Sequence, residues 1–103
     1  MSTDPPADRA GEQCYRLGPS TALRREPFGA IAYSYATRRL QVIQSRLAVE
    51  VAVRLDAGAT VSEVVEWLAR SDDSRLAAAT RQVATAIDGL VASGVLVQAS
   101  DVA

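Results

Sequence analysis

The chain has 103 residues and a formal net charge of −1; all 11 of its basic residues are Arg, and His, Lys and Asn are absent. That length supports one domain around one modest core. Without His or Lys, and with a single Cys, there is no imidazole base or ligand, no Schiff-base or P-loop lysine, and no pair for a disulfide or thiolate zinc site, so neither catalysis nor a cofactor is expected.

Residues 1–14 carry Pro5, Pro6, Gly11 and several charges with almost no bulky apolar side chain, and are expected to form a flexible tail. They lack the basic and apolar regions of a secretory signal. No run of 18 apolar residues follows to span a membrane, and a cytoplasmic location is expected. The patterned domain is expected over residues 15–98, with a polar tail at 99–103.

Thr21-Ala-Leu-Arg-Arg-Glu26 reads as an extended segment, because Pro27 disfavours helix at the preceding residue. In Phe28–Tyr35 the residues alternate, with Ile31, Tyr33 and Tyr35 on one face and Ala30, Ala32 and Ser34 on the other. Arg39-Leu-Gln-Val-Ile43 alternates again. The three runs predict an antiparallel meander. Its turns lack Asn-Gly or Asp-Gly.

Ser45–Ala57 alternates Val49, Val51 and Val53 like a strand, yet Arg46, Glu50 and Arg54 recur every fourth residue. That spacing makes one charged helical stripe with a Glu-to-Arg pair. With Ser45 as N-cap and Gly58 past the end, the segment is expected to be a buried helix with a single solvated stripe. Thr60-Val-Ser-Glu63 is a capping box. It opens a second helix with Val61, Val64, Val65 and Leu68 on one face. Ser71-Asp-Asp-Ser74 offers a cap for a third, running to about Ser93, with Leu76, Val83, Ile87, Leu90 and Val91 on its core stripe and Gly94 closing it. Val95-Leu-Val97 is a short extended end. The expected fold is α+β and winged helix-turn-helix-like, a three-stranded antiparallel sheet followed by three helices.

Helix–turn–helix geometry raises a winged-helix DNA-binding transcriptional regulator as the alternative function. A reader helix needs several cations on its exposed face. The third helix region offers Arg75 and Arg81, opposed by Asp88. Arg38-Arg39 is either solvated charge at a strand end or a basic rim for the carboxylates of a partner, which guanidinium forks bind bidentately. Trp67, off the apolar stripe of its helix, is read as packing on a neighbouring helix. Asp72 and Asp73 are read as capping groups, and Cys14 as incidental.

The stretch Leu23-Arg-Arg-Glu-Pro-Phe-Gly-Ala30, then Tyr33, then Thr37-Arg-Arg-Leu40, resembles the mycofactocin biosynthesis chaperone family. These are small precursor-recognition domains similar to the pyrroloquinoline quinone peptide chaperone. The resemblance covers residues 15–98. Gln41-Val-Ile43 departs from the more hydrophobic run common at that place. The resemblance implies a non-catalytic peptide chaperone that binds the leader of a ribosomally made precursor peptide and presents it to a radical S-adenosylmethionine maturase. Nucleic acid and membrane are not implied as partners. It further implies that the leader pairs antiparallel with the third strand and packs on the third helix. The implied binding residues are Arg38, Arg39, Leu40, Gln41, Val42 and Ile43 on the strand side. On the helix they are one flank, Ala77, Thr80, Arg81, Ala84 and Asp88, the other flank being Ala79, Gln82 and Ala86. Leu40 or Val42 is expected to floor the groove.

Overall fold

A computed structural model of the chain describes residues 13–99. The expected tails lie mostly outside the described residues. Gln13, Cys14 and Ala99, however, are tied to the domain: Val61 N–H donates to the Gln13 carbonyl (3.1 Å) and Ala99 N–H to that of Cys14 (2.9 Å).

In chain order the elements are β1 (Tyr15–Leu17), β2 (Thr21–Glu26), β3 (Gly29–Ser34), β4 (Arg39–Ile43), α1 (Arg46–Asp56), α2 (Val61–Ala69), α3 (Leu76–Ala92) and β5 (Leu96–Gln98). β2, β3 and β4 form the expected antiparallel meander, in that order. β1 and β5 pair antiparallel as a second sheet that joins the two ends of the domain. The fold is α+β and winged-helix-like. Where the β3–β4 turn lacks glycine, Arg38 takes the left-handed conformation (φ 60°). The turn is closed by Arg38 N–H to Ser34 O (2.7 Å) and Thr37 N–H to Ser34 Oγ (3.2 Å).

The caps form as the local sequence dictates. Ser45 Oγ accepts from Ala48 N–H (3.0 Å), and Thr60 and Glu63 close a reciprocal capping box. Asp72 caps a short 3₁₀ turn, Asp73–Arg75, ahead of α3. Two hydrogen bonds from Ser74 hold its carboxyl below the usual range.

The core lies among the three helices and the inner face of the β2–β3–β4 sheet. Leu55, Leu96, Val51, Val64, Val83 and Val95 are fully buried. Burying each contributes about 1.5–3 kcal/mol, and four of the six come from the helices. In β3 the small residues Ala30 and Ala32 face this core. The helices thereby approach the sheet closely, and the larger Ile31 and Tyr33 are left on the outer face.

The stripe on α1 is less solvated than its spacing predicts. Arg46 donates to the Pro27 carbonyl (3.1 Å), Glu50 accepts from Arg25 of β2 (2.7 Å), and the Arg54 guanidinium lies 3.8 Å from the centre of the Trp67 ring. Trp67 is thus half-buried against its neighbour helix. Leu17 N–H donates to Asp56 Oδ1 (2.9 Å), which fixes β1 to the end of α1.

Gly29 is a steric requirement. Its φ is +148°, and a Cβ there would sit 1.9 Å from the Ile43 carbonyl oxygen. Gly29→Ala is expected to destabilise the domain by about 3 kcal/mol or more, through strain and displacement of β4; denaturant unfolding measures it. The Arg25 hydrogen bond holds the Glu50 carboxyl below its ordinary range against partial desolvation. A depressed carboxyl stabilises the fold above the unfolded pKa, about 4.3, and loses that contribution as pH falls through the folded value. Arg25→Gln should therefore lower Tm at neutral pH, with the gap closing in acid.

Candidate functional site: the groove between β4 and α3

β4 is the outer strand of the meander, and its hydrogen-bonding sense follows from its neighbours. Tyr35 N–H bonds Ser20 O (2.7 Å) across the β2–β3 pair. In β3, therefore, residues 31 and 33 point their backbone groups to β2, and residues 30, 32 and 34 point theirs to β4. The Ile43 carbonyl lies against Gly29, as this phase requires. Arg39, Gln41 and Ile43, opposite Ser34, Ala32 and Ala30, spend their backbone groups on β3. The N–H and C=O of Leu40 and Val42 face the free edge.

Beside that edge runs a groove of about 670 Å³ between β4 and α3. Its floor is apolar, with Ile43, Leu47, Ala48, Ala86 and Leu90 among its lining residues, and Arg81 and Gln82 lie along its helix side. At the middle of β4, Gln41 Nε2 donates to the Ser93 carbonyl (2.7 Å) and ties the strand to the end of α3. Past this tie a smaller polar hollow continues the surface, lined by Ser34, Thr37, Arg39 and Gly94, and shares Gln41 and Ser93 with the groove. Gly89 also lines the groove, and no heavy atom lies within 4 Å of where its Cβ would stand.

The structure brings together only part of the expected set. Gln41, Val42, Ile43 and Arg81 line the groove, Arg39 lines its polar extension, and Arg38 is exposed on the turn. Two expectations are corrected. Leu40 and Val42 do not floor the groove. They stand opposite Tyr33 and Ile31 on the outer face of the sheet, 65% and 59% exposed, while Gln41 and Ile43 point towards the helices. The flank of α3 beside β4 is also the other one. Burial of Ala79, Val83, Ile87 and Leu90 sets the helix rotation, and that rotation brings Gln82, Ala86 and Gly89 to the groove. Ala77, Thr80, Ala84 and Asp88 do not line it: Thr80 bonds back to the Leu76 carbonyl (2.8 Å), and Asp88 lines a separate hollow with Tyr15 and Val91. The omitted residues did carry a signal. Gln82, Ala86, Gly89 and Ser93 recur at spacings of four, three and four, a helical face of small or polar residues next to the core stripe.

Among the described residues, no cluster of three or more His, Cys, Asp or Glu side chains could hold a metal ion, and no helix is long and apolar enough to cross a membrane. The exposed surface of α3 carries Arg81 and Asp88, and no run of cations such as a DNA-reading helix presents.

The fold is shared with a solved structure described as lasso peptide synthetase B1 complexed with the leader peptide. The TM-score is 0.68 over 81% of this chain and 96% of that one, at 18% identity. The chain is 38% identical over 88 residues to the peptide chaperone MftB of Mycolicibacterium smegmatis, covering 84% of this chain and 74% of the relative. A family model described as the peptide chaperone MftB family matches residues 14–97. With fold, groove and sequence in agreement, the chain belongs to the peptide chaperone MftB family of mycofactocin biosynthesis.

Proposed function

We propose that the chain is a non-catalytic chaperone that captures the leader of the mycofactocin precursor peptide as an additional antiparallel strand on β4 and presents it to a radical S-adenosylmethionine maturase. The observation that carries this reading is the free β4 edge. The outward N–H and C=O groups of Leu40 and Val42 sit beside an apolar groove, and an extended peptide satisfies both at once. Main-chain pairing supplies affinity, and alternate side chains of the peptide enter the groove to supply selectivity. The leader-bound lasso peptide synthetase B1 structure of the same fold, and the peptide chaperone to which the chain is 38% identical, support it. The work is done by backbone groups and an apolar floor, so the absence of His and Lys costs nothing. The helix side of this surface is Arg81, Gln82, Ala86 and Gly89.

Val42→Pro removes one outward donor at an edge position where proline is tolerated. The variant is expected to keep its fold and bind the labelled leader about tenfold more weakly, the loss of one net hydrogen bond. Gln41→Pro removes an inner donor and should instead disrupt the hairpin, as circular dichroism and fluorescence anisotropy together would show. Gly89→Leu places a side chain in open space at the groove. It should leave stability unchanged or raise it by up to about 1 kcal/mol, through helix propensity, while reducing leader affinity tenfold or more. Undiminished binding to this variant would remove the groove from the binding site.

A further inference from the structure

The groove and its polar extension form one continuous surface, since both are lined by Gln41 and Ser93. Two Arg residues line this surface and no carboxylate does, in a chain whose net charge is −1. Of the other cations nearby, Arg25 pairs with Glu50, Arg24 pairs with Glu26 and Arg46 donates to the Pro27 carbonyl, while Arg38 is exposed on the turn before β4 and lines neither hollow. Arg81 and Arg39 are exposed, and neither is in an ion pair among the described residues.

The two stand at opposite ends. Arg81 is near the start of α3 and lines the apolar groove, and Arg39, at the start of β4, lines the polar hollow together with Ser93. The twelve residues from Arg81 to Ser93 place the ends about 18 Å apart along the helix axis. An extended strand covers that length in about five to six residues. Side chains of a strand alternate, so two groups that both face the groove are an even number of residues apart. Between them the floor is apolar on the Arg81 side and polar at the Gln41–Ser93 tie.

From this geometry, and resting on the proposed strand addition at β4, we infer that the groove selects an acidic peptide by charge at both ends. The preferred ligand is an extended segment with two carboxylates four or six residues apart and apolar side chains at the alternate positions between them. Run antiparallel to β4, its first carboxylate meets Arg81, its apolar residues meet Ile43, Leu47 and Ala86, and its second carboxylate meets Arg39. Exposed pairs of this kind are individually modest and sensitive to salt. Their effect is to set register and direction, which a ladder of identical backbone groups does not do by itself.

The test is fluorescence anisotropy with a fluorescein-labelled synthetic leader of the mycofactocin precursor, at low and high salt. Arg81→Gln and Arg39→Gln are each expected to weaken binding about two- to fivefold at low salt, with the difference shrinking at high salt. Arg81→Lys should retain most of the salt dependence. Replacing leader carboxylates by amides one at a time should identify one that makes the peptide insensitive to Arg81→Gln and another, four or six residues later, that makes it insensitive to Arg39→Gln. Wild-type affinity in both Arg variants at both salt concentrations would overturn the inference, as would full additivity with every amide replacement or a leader without carboxylates at that spacing. In each of these cases strand addition would stand. A leader that fails to bind the wild-type chain would overturn strand addition itself and the charge selection with it.

Discussion

The register between β3 and β4 is the constraint on which the rest of the site depends. Because Ala32 faces Gln41 and Ala30 faces Ile43, the alternation of a strand leaves no freedom. Gln41 and Ile43 turn to the helices, Leu40 and Val42 turn outward, and the backbone groups of Leu40 and Val42 point to the free edge. A slip of one residue would exchange both sets at once. The register is held from two sides. Gly29 lets the end of β4 approach β3 where any side chain would collide with Ile43 O, and the Gln41 amide reaches the Ser93 carbonyl at the end of α3. The residues that hold the register are therefore the same ones that shape the free edge and the groove.

The small residues of the sheet and of α3 have a common consequence. Ala30 and Ala32 bring the helical layer close to the sheet, and Ala86 and Gly89 keep the near flank of α3 low. Larger residues at the first pair would push the layers apart, and at the second would fill the groove. Packing this close leaves Ile31 and Tyr33 of β3 on the outer face with Leu40 and Val42 of β4, which are mostly exposed. Apolar side chains there do not indicate a misplaced strand; they follow from giving the inner face to alanine.

Much of the fold was legible because its signals are local. Ser45, the Thr60–Glu63 box and Asp72 mark helix starts through hydrogen bonds to residues two or three positions away. The meander was legible from alternation. The pairing of β1 with β5 was not, since three-residue strands at opposite ends of the domain carry no periodicity and are joined only when the helices bring them together. The four-residue spacing of Arg46, Glu50 and Arg54 marks α1 as a helix with one charged stripe, but a charged spacing does not reveal that Arg25, Pro27 and Trp67 lie within reach of it.

By itself the amino-acid sequence determined the element order, the caps, the absence of imidazole and amine chemistry, and the resemblance that led to a peptide chaperone. All of these depend on residue identity or on neighbours along the chain. Only the tertiary structure decided which faces of β4 and α3 form the groove. Both α3 flanks border the same apolar stripe and both β4 faces carry apolar residues, so sequence patterning left two nearly equivalent choices for each. Burial of Ala79, Val83, Ile87 and Leu90 fixed the helix rotation, and burial of Ala30 and Ala32 fixed the strand. Those are interactions between residues far apart in sequence, and they put Gln82, Ala86 and Gly89, not Ala77, Thr80, Ala84 and Asp88, beside the free edge.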